Sequence, residues 1–168
     1  AGLVMSTRTG DLDPGLVYFL ARTERMTGSH FQHMVNHESG LLGISGTSSD
    51  VRDLLAHETS DARAADAVEL FCYHVKKWIG SFAAVLGGLD TLVFAGGIGE
   101  NAPSVRARIC EGLGFLGVEL DRKRNAKSAA LISSKTGRVK LRVIRTDEAL
   151  MIARSVTRVL KLGFTRKT

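Results

Sequence analysis

The sequence predicts an α/β domain, and three adjacent features carry that expectation. Apolar residues recur every three to four positions from about 61 to 86, and Gly87-Gly88 ends the pattern. Thr91-Leu92-Val93-Phe94-Ala95 then forms a short, continuous apolar run, and Gly96-Gly97-Ile98-Gly99-Glu100-Asn101 follows at once. A long amphipathic helix, a strand buried on both faces and a glycine-rich loop at the strand end are what these three patterns predict.

The remaining elements follow in order. Ala1-Gly2-Leu3-Val4 reads as a strand running into a Gly-Asp turn, so the chain is expected to open partway through a fold. Asp13-Pro14-Gly15 supplies a cap and a proline at the first helical position, which predicts a helix near 13 to 27. Ser29 is expected to cap a second helix that Gly40 ends, and Ser48, Ser49 or Asp50 to start a third. Beyond the glycine stretch, Pro103 begins a helix through Cys110. Strands are expected at about 115 to 120, 129 to 133 and 139 to 145, and a closing helix from Asp147 to about Leu160. With no internal repeat and no low-complexity linker, residues 1–168 are read as one domain.

Composition narrows the function classes. The chain is 44% hydrophobic, enough for a buried core. No apolar run reaches the length of a membrane span, and no secretory leader pattern opens it, which points to a soluble protein of the cytoplasm without a membrane partner. Cys72 and Cys110 lack CxxC pairing and read as reduced, buried thiols. The net charge of +6 gathers late, in Arg122, Lys123, Arg124, Lys127, Lys135, Arg138, Lys140 and the Arg166-Lys167 tail. That surplus suits anionic partners, but without interleaved aromatics or a nucleic-acid motif it reads as a solvated basic face rather than a nucleic-acid surface.

Four segments are candidates for chemistry. The glycine stretch at 96–101 lets backbone approach a phosphate at a helix start, or else makes a structural tight turn; it is neither GxxxxGKS/T nor a good GxGxxG. Arg8 lies among hydroxyls and carboxylates in Ser6-Thr7-Arg8-Thr9-Gly10-Asp11-Leu12-Asp13. It either holds a transferring phosphoryl group with its planar fork or pairs with Asp11 or Asp13. Glu148, in Arg145-Thr146-Asp147-Glu148, either serves the helix dipole or contributes to a magnesium site, since Mg2+ needs few protein carboxylates. His33 and His37 stand at i, i+4 beside Glu38, yet the order is not HExxH and no third zinc ligand is evident.

Three of these segments, together with Ser45 to Asp53, taken in chain order and near this spacing, resemble the acetate kinase family, part of the superfamily that also holds sugar kinases, Hsp70 and actin. Leu3 to Gly15 looks like the family's arginine-bearing segment, with Ser6 where Gly is commoner. Ser45-Gly46-Thr47-Ser48-Ser49-Asp50-Val51-Arg52-Asp53 resembles its adenosine-contacting segment. Gly97 to Asn101 matches its second nucleotide loop, and Thr146-Asp147-Glu148 its magnesium-binding glutamate, with Ala149 replacing a frequent second Glu.

The resemblance implies a ribonuclease H-like lobe, a mixed sheet flanked by helices, forming the carboxyl-terminal nucleotide-binding part of an acetate kinase-like protein. It implies that Arg8 steadies the phosphoryl group in flight and that Asp50, Val51 and Arg52 line the adenosine pocket. Gly97, Ile98, Gly99, Glu100 and Asn101 would hold ATP or ADP, and Glu148 the Mg2+. The implied reaction is ATP plus acetate to acetyl phosphate plus ADP, by a homodimer whose contact includes the long helix with Trp78 and Phe82. The family's amino-terminal lobe, with further catalytic residues, is not represented, so the chain by itself is expected to be inactive. A propionate or butyrate kinase, or a non-catalytic dimerisation or nucleotide-binding fragment, are the alternatives.

Overall fold

The computed structural model describes residues 2–161, so the Arg166-Lys167 tail and the expected start at Ala1 lie outside the described residues. The elements run α1 (Pro14–Thr23), α2 (Gly28–His37), α3 (Gly40–Ser45), α4 (Val51–His57), α5 (Ala62–Leu86), β1 (Thr91–Phe94), α6 (Gly96–Asn101), α7 (Pro103–Cys110), a 3-10 turn (Gly114–Leu116), α8 (Arg122–Ala126), β2 (Lys140–Val143) and α9 (Glu148–Val159).

The long helix α5 organises the core. Asp61 caps it by accepting from the amides of Arg63 (2.9 Å) and Ala64 (3.3 Å), and Gly87 ends it in the left-handed region at φ 74°, where a side chain would be strained. Its buried residues Ala64, Ala67, Val68, Phe71 and Cys72 fall on one face, as 3.6-residue periodicity requires, and that face packs on α3, α4 and α7. The same cluster takes in Leu41, Leu54, Val105, Ile132, Val139 and Leu141, all but fully buried. Cys72 and Cys110 lie within it as free thiols, and burial pushes them up to about 11 and about 12.

β1 and β2 pair in parallel, from Thr91 opposite Lys140 to Phe94 opposite Val143. β2 alternates as a half-buried strand should, with Leu141 and Val143 inside and Lys140 and Arg142 outside. The expectation that β1 is buried on both faces does not hold: Phe94 is buried, but Val93 is 47% exposed. Only the Phe94 side of this two-stranded sheet meets the shared core.

Other expectations are corrected locally. Residues 2–5 form a folded-back loop rather than a strand, because the Asp11 amide donates to the Gly2 carbonyl (3.0 Å) and the Met5 amide to the Arg8 carbonyl (3.1 Å). The first helix stops at Thr23, Arg25 turns left-handed at φ 51°, and Thr27, not Ser29, caps α2. Gly40 opens α3 instead of ending α2: at φ 64° it lies where any Cβ would collide with the Met5 carbonyl oxygen. The expected strands at 115–120 and 129–133 reduce to isolated antiparallel bridges, Leu120 with Ser133 and Leu131 with Arg142. The 3-10 turn and Gly117 at φ 89° curl the chain before a ladder can extend. Among the described residues no helix is long and apolar enough to cross a membrane.

Candidate functional site

A cleft of about 630 Å³ opens between the start of α4 and the α6–α7 corner. Its lining is Ser49, Asp50, Val51, Arg52 and Leu55 on one wall, Gly97, Ile98 and residues 101–104 on the other, and Ser6 at the edge.

Serines shape the first wall. Buried Ser45 donates to the Ser48 carbonyl (2.8 Å) and accepts from the amides of Thr47 and Ser48, closing the turn that leads into α4. Ser48 Oγ then accepts from the Asp50 amide and donates to Asp53 Oδ2, both at 3.0 Å. Asp50 caps the helix through the Arg52 amide (2.8 Å) and also meets the Arg52 guanidinium, Nη2 to Oδ2 at 2.5 Å. The side-chain bond from Arg52, then its backbone N–H, hold the Asp50 carboxyl down to about 2. Asp50 is therefore ionised, and it pairs with the exposed side chain of Arg52, which also lines the cleft.

The second wall was expected to be an open loop; it is the helical turn α6. Its glycines differ in purpose. A Cβ on Gly97, which lines the cleft, would meet nothing within 4 Å. A Cβ on Gly99 would come to 3.1 Å from the Phe94 carbonyl carbon, so Gly99 is needed for α6 to pack on β1.

Glu100 does not line the cleft. Its Oε1 accepts from the Gly96 amide (3.1 Å), the Thr146 amide (2.9 Å) and Thr146 Oγ1 (2.9 Å), joining α6 to the junction between β2 and α9. These bonds, the Thr146 backbone N–H foremost, hold its carboxyl below the usual range.

Two residues that sequence reasoning missed brace the walls. Arg106 is fully buried and donates to the Gly99 and Glu100 carbonyls (2.8 and 3.0 Å), closing the end of α6. Arg108 forms a two-pronged pair with Glu58, both bonds 2.8 Å, linking α7 to the end of α4. That pairing lowers the Glu58 carboxyl and raises Arg108. An isolated arginine on a short helix carries no sequence signal for either role.

Arg8 and Glu148 stand outside the cleft lining. Arg8 is exposed and, among the described residues, has no side-chain partner. The suggested pairings with Asp11 and Asp13 are not formed, because Asp11 pairs with Lys77 (2.5 Å) and Asp13 caps α1 through the Gly15 amide (2.6 Å). The Arg8 segment is nonetheless firmly seated: the amides of Ser39, Leu41 and Leu42 at the start of α3 donate to the carbonyls of Thr7, Met5 and Ser6, each at 3.0 Å.

Glu148 lies in the first turn of α9 beside a shallower groove of about 390 Å³, with Arg145 and Arg154 nearby. Asp147 is occupied as the cap of α9, whereas Glu148 has no hydrogen-bond or ion-pair partner among the described residues. Among those residues there is no group of three His, Cys, Asp or Glu able to hold a metal by itself. His33 and His37 approach each other, ring centroids 4.9 Å apart, and His33 Nε2 lies 3.4 Å from Glu38. A single uncommitted carboxylate fits the way magnesium is held, by one or two protein oxygens with the rest from phosphates and water.

The family model of the acetokinase family matches residues 1–154. The chain is 46% identical over 160 residues to a propionate kinase of Yersinia enterocolitica, covering 95% of this chain and 39% of that protein. It is 49% identical over 164 residues to an acetate kinase of Rhodopseudomonas palustris, covering 96% and 41% respectively. Among solved structures, Porphyromonas gingivalis acetate kinase superposes with a TM-score of 0.87 at 38% identity, over 95% of this chain and 41% of that one. The chain thus spans about two fifths of the length of the curated relatives it matches.

Proposed function

The chain belongs to the acetokinase family, and from that premise we propose that it is the carboxyl-terminal, nucleotide-holding lobe of a carboxylate kinase. The lobe is read as ribonuclease H-like, with residues 1–168 as one unit. The observation that carries the reading is the cleft uniting Asp50, Val51 and Arg52 with Gly97, Ile98 and Asn101, two segments more than 40 residues apart in sequence. The resemblance independently assigns both segments to adenine nucleotide.

In this reading the cleft takes ATP or ADP. Val51 and Ile98 offer apolar contact to the base, Asp50 and Arg52 polar contact at the mouth, and the missing Cβ of Gly97 leaves room for the ligand. The uncommitted Arg8 guanidinium, which has five donors in a rigid fork, meets the phosphoryl group as it passes from nucleotide to carboxylate. The carboxylate oxygen of acetate or another short acid forms the new bond to phosphorus as the bond to ADP breaks, giving acyl phosphate. Glu148 contributes a carboxylate to Mg2+, whose charge offsets that of the phosphates. Because the chain covers about two fifths of its relatives, turnover is assigned to a protein that also contains the remaining part. Phe82, Val85 and Leu86, all more than half exposed at the end of α5, support a homodimer contact there. The cytoplasm, where ATP is abundant, is the proposed location.

The test is hydroxamate trapping of acyl phosphate made from ATP with acetate, propionate or butyrate. It is run on this chain alone and on the chain joined to the amino-terminal part of a relative. Turnover by the joined protein only, removed by Arg8→Ala, is the expected result. Turnover by the chain alone overturns its assignment as an incomplete lobe, and no acyl phosphate from any of the acids with the joined protein overturns the carboxylate kinase.

A further inference from the structure

We propose that Glu100 is a positioning residue, not a nucleotide contact: it ties the nucleotide wall of the cleft to the Thr146–Glu148 segment, so that a ligand on one is felt at the other. The proposal rests on the nucleotide reading of the cleft given above. One carboxylate oxygen accepts three hydrogen bonds, from the Gly96 amide at the start of α6 and from the amide and hydroxyl of Thr146. Thr146 lies 46 residues away in sequence and two residues before Glu148.

Among the described residues few hydrogen bonds besides these fix the end of β2 to α6. The β1–β2 ladder ends at Phe94 and Val143, with the Ile144 amide donating once more to the Phe94 carbonyl at 2.9 Å. Past that point the chain at 145–147 has no regular structure, and α9 buries none of its residues. Without Glu100 the segment leading into Glu148 would hang from the strand end alone. On the other side, α6 is held by Arg106 at its carboxyl end and by Glu100 at its amino end.

Glu100 therefore spans two elements that the proposed reaction must keep in register: the glycine wall, against which phosphates would lie, and the carboxylate that would hold their magnesium. A charged acceptor buttressing two backbone amides and a hydroxyl is a stiff link, and coupling between ligand sites needs such a shared element.

The experiment measures ADP affinity of the protein by calorimetry with and without Mg2+, alongside amide hydrogen exchange at residues 145–149. It compares the wild type with Glu100→Ala and Glu100→Gln. The wild type should bind ADP at least about fivefold more tightly with Mg2+, and Mg-ADP should slow exchange at 145–149. Glu100→Ala should retain Mg-free ADP binding within about threefold, yet lose both the Mg2+ gain and the induced protection. Glu100→Gln keeps an acceptor oxygen in place and should restore both.

Coupling intact in Glu100→Ala would overturn the proposal, and so would Gln failing as badly as Ala, which would make Glu100 a direct ligand of the metal or nucleotide. If the wild type bound no ADP under either condition, the nucleotide reading itself would fall and this inference with it.

Discussion

Arg106 and Asn125 are joined twice at full burial: Arg106 Nε donates to Asn125 Oδ1 at 2.7 Å, and Nη2 to the Asn125 carbonyl at 2.8 Å. The remaining donors go to Ser128 Oγ, Gly99 O and Glu100 O, so all five guanidinium N–H groups are satisfied without any carboxylate. Asn125 in turn donates to the Pro103 carbonyl at 2.8 Å. A cation that would otherwise be costly inside the core thus becomes the hub that fastens α6, α7 and α8 together.

Removing that hub should be severe. Arg106→Met leaves the Asn125 side chain and several carbonyls unpaired in the interior, and the expected loss is about 3 kcal/mol or more of folding stability. Arg106→Lys should fare little better, because three donors on a flexible stem cannot reach five acceptors. Urea unfolding measures both, and a loss within about 0.5 kcal/mol, the range of ordinary surface changes, would contradict the role.

The Arg108–Glu58 pair is only partly shielded, so its worth is modest. A double-mutant cycle with Glu58→Gln and Arg108→Met should give a coupling of about 1 kcal/mol. The pH dependence has a definite sign. Glu58 has a lower pKa folded than unfolded, so its contribution is present above the ordinary glutamate value and fades as pH falls through the folded one. Denaturant midpoints of the wild type should therefore fall in acid, and those of Glu58→Gln should fall less steeply.

Gly97 and Gly99 differ in what a side chain would meet. Gly97→Ala should leave stability unchanged or raise it by up to about 1 kcal/mol, since the position is helical and its Cβ meets nothing. Gly99→Ala presses on the Phe94 backbone and should cost about 1 kcal/mol or more. Thermal unfolding of the two variants would contradict the assignment if their order were reversed.

Arg8 is exposed and makes no side-chain hydrogen bond or ion pair among the described residues, so Arg8→Ala should change stability by less than about 0.5 kcal/mol. A larger loss in chemical denaturation would mean that Arg8 serves the fold instead of remaining available to a phosphoryl group.

Much of this architecture was legible from local pattern. Asp61, the apolar face of α5 and Gly87 announce one helix from cap to stop, and Asp50 and Asp147 cap the helices expected at those positions. The cleft was legible through the family resemblance rather than local pattern: the resemblance named Asp50 to Arg52 and Gly97 to Asn101, and Asp50 to Arg52 do lie together with Gly97, Ile98 and Asn101. What local pattern could not carry is tertiary in origin. The glycine stretch coils into α6 with partners that no local motif announces: Arg106 donates to the Gly99 and Glu100 carbonyls, and Thr146, 46 residues away, donates to Glu100. Likewise Gly40 looks like a helix stop until the Met5 carbonyl is seen to occupy the place of its Cβ. Expected strands at 115–120 and 129–133 have the right composition, but positive φ at Gly117 and Ser128 bends the chain before more than isolated bridges form.

Calorimetric titration with Mg-ADP tests the proposal that the cleft between α4 and α6 takes an adenine nucleotide. The wild type should bind saturably. Gly97→Val, which fills the cleft, and Arg52→Ala, which strips its mouth, should each weaken binding at least about tenfold while unfolding at a similar temperature. Saturable binding undiminished in Gly97→Val, or none at all by a demonstrably folded wild type, would rule out a nucleotide in this cleft.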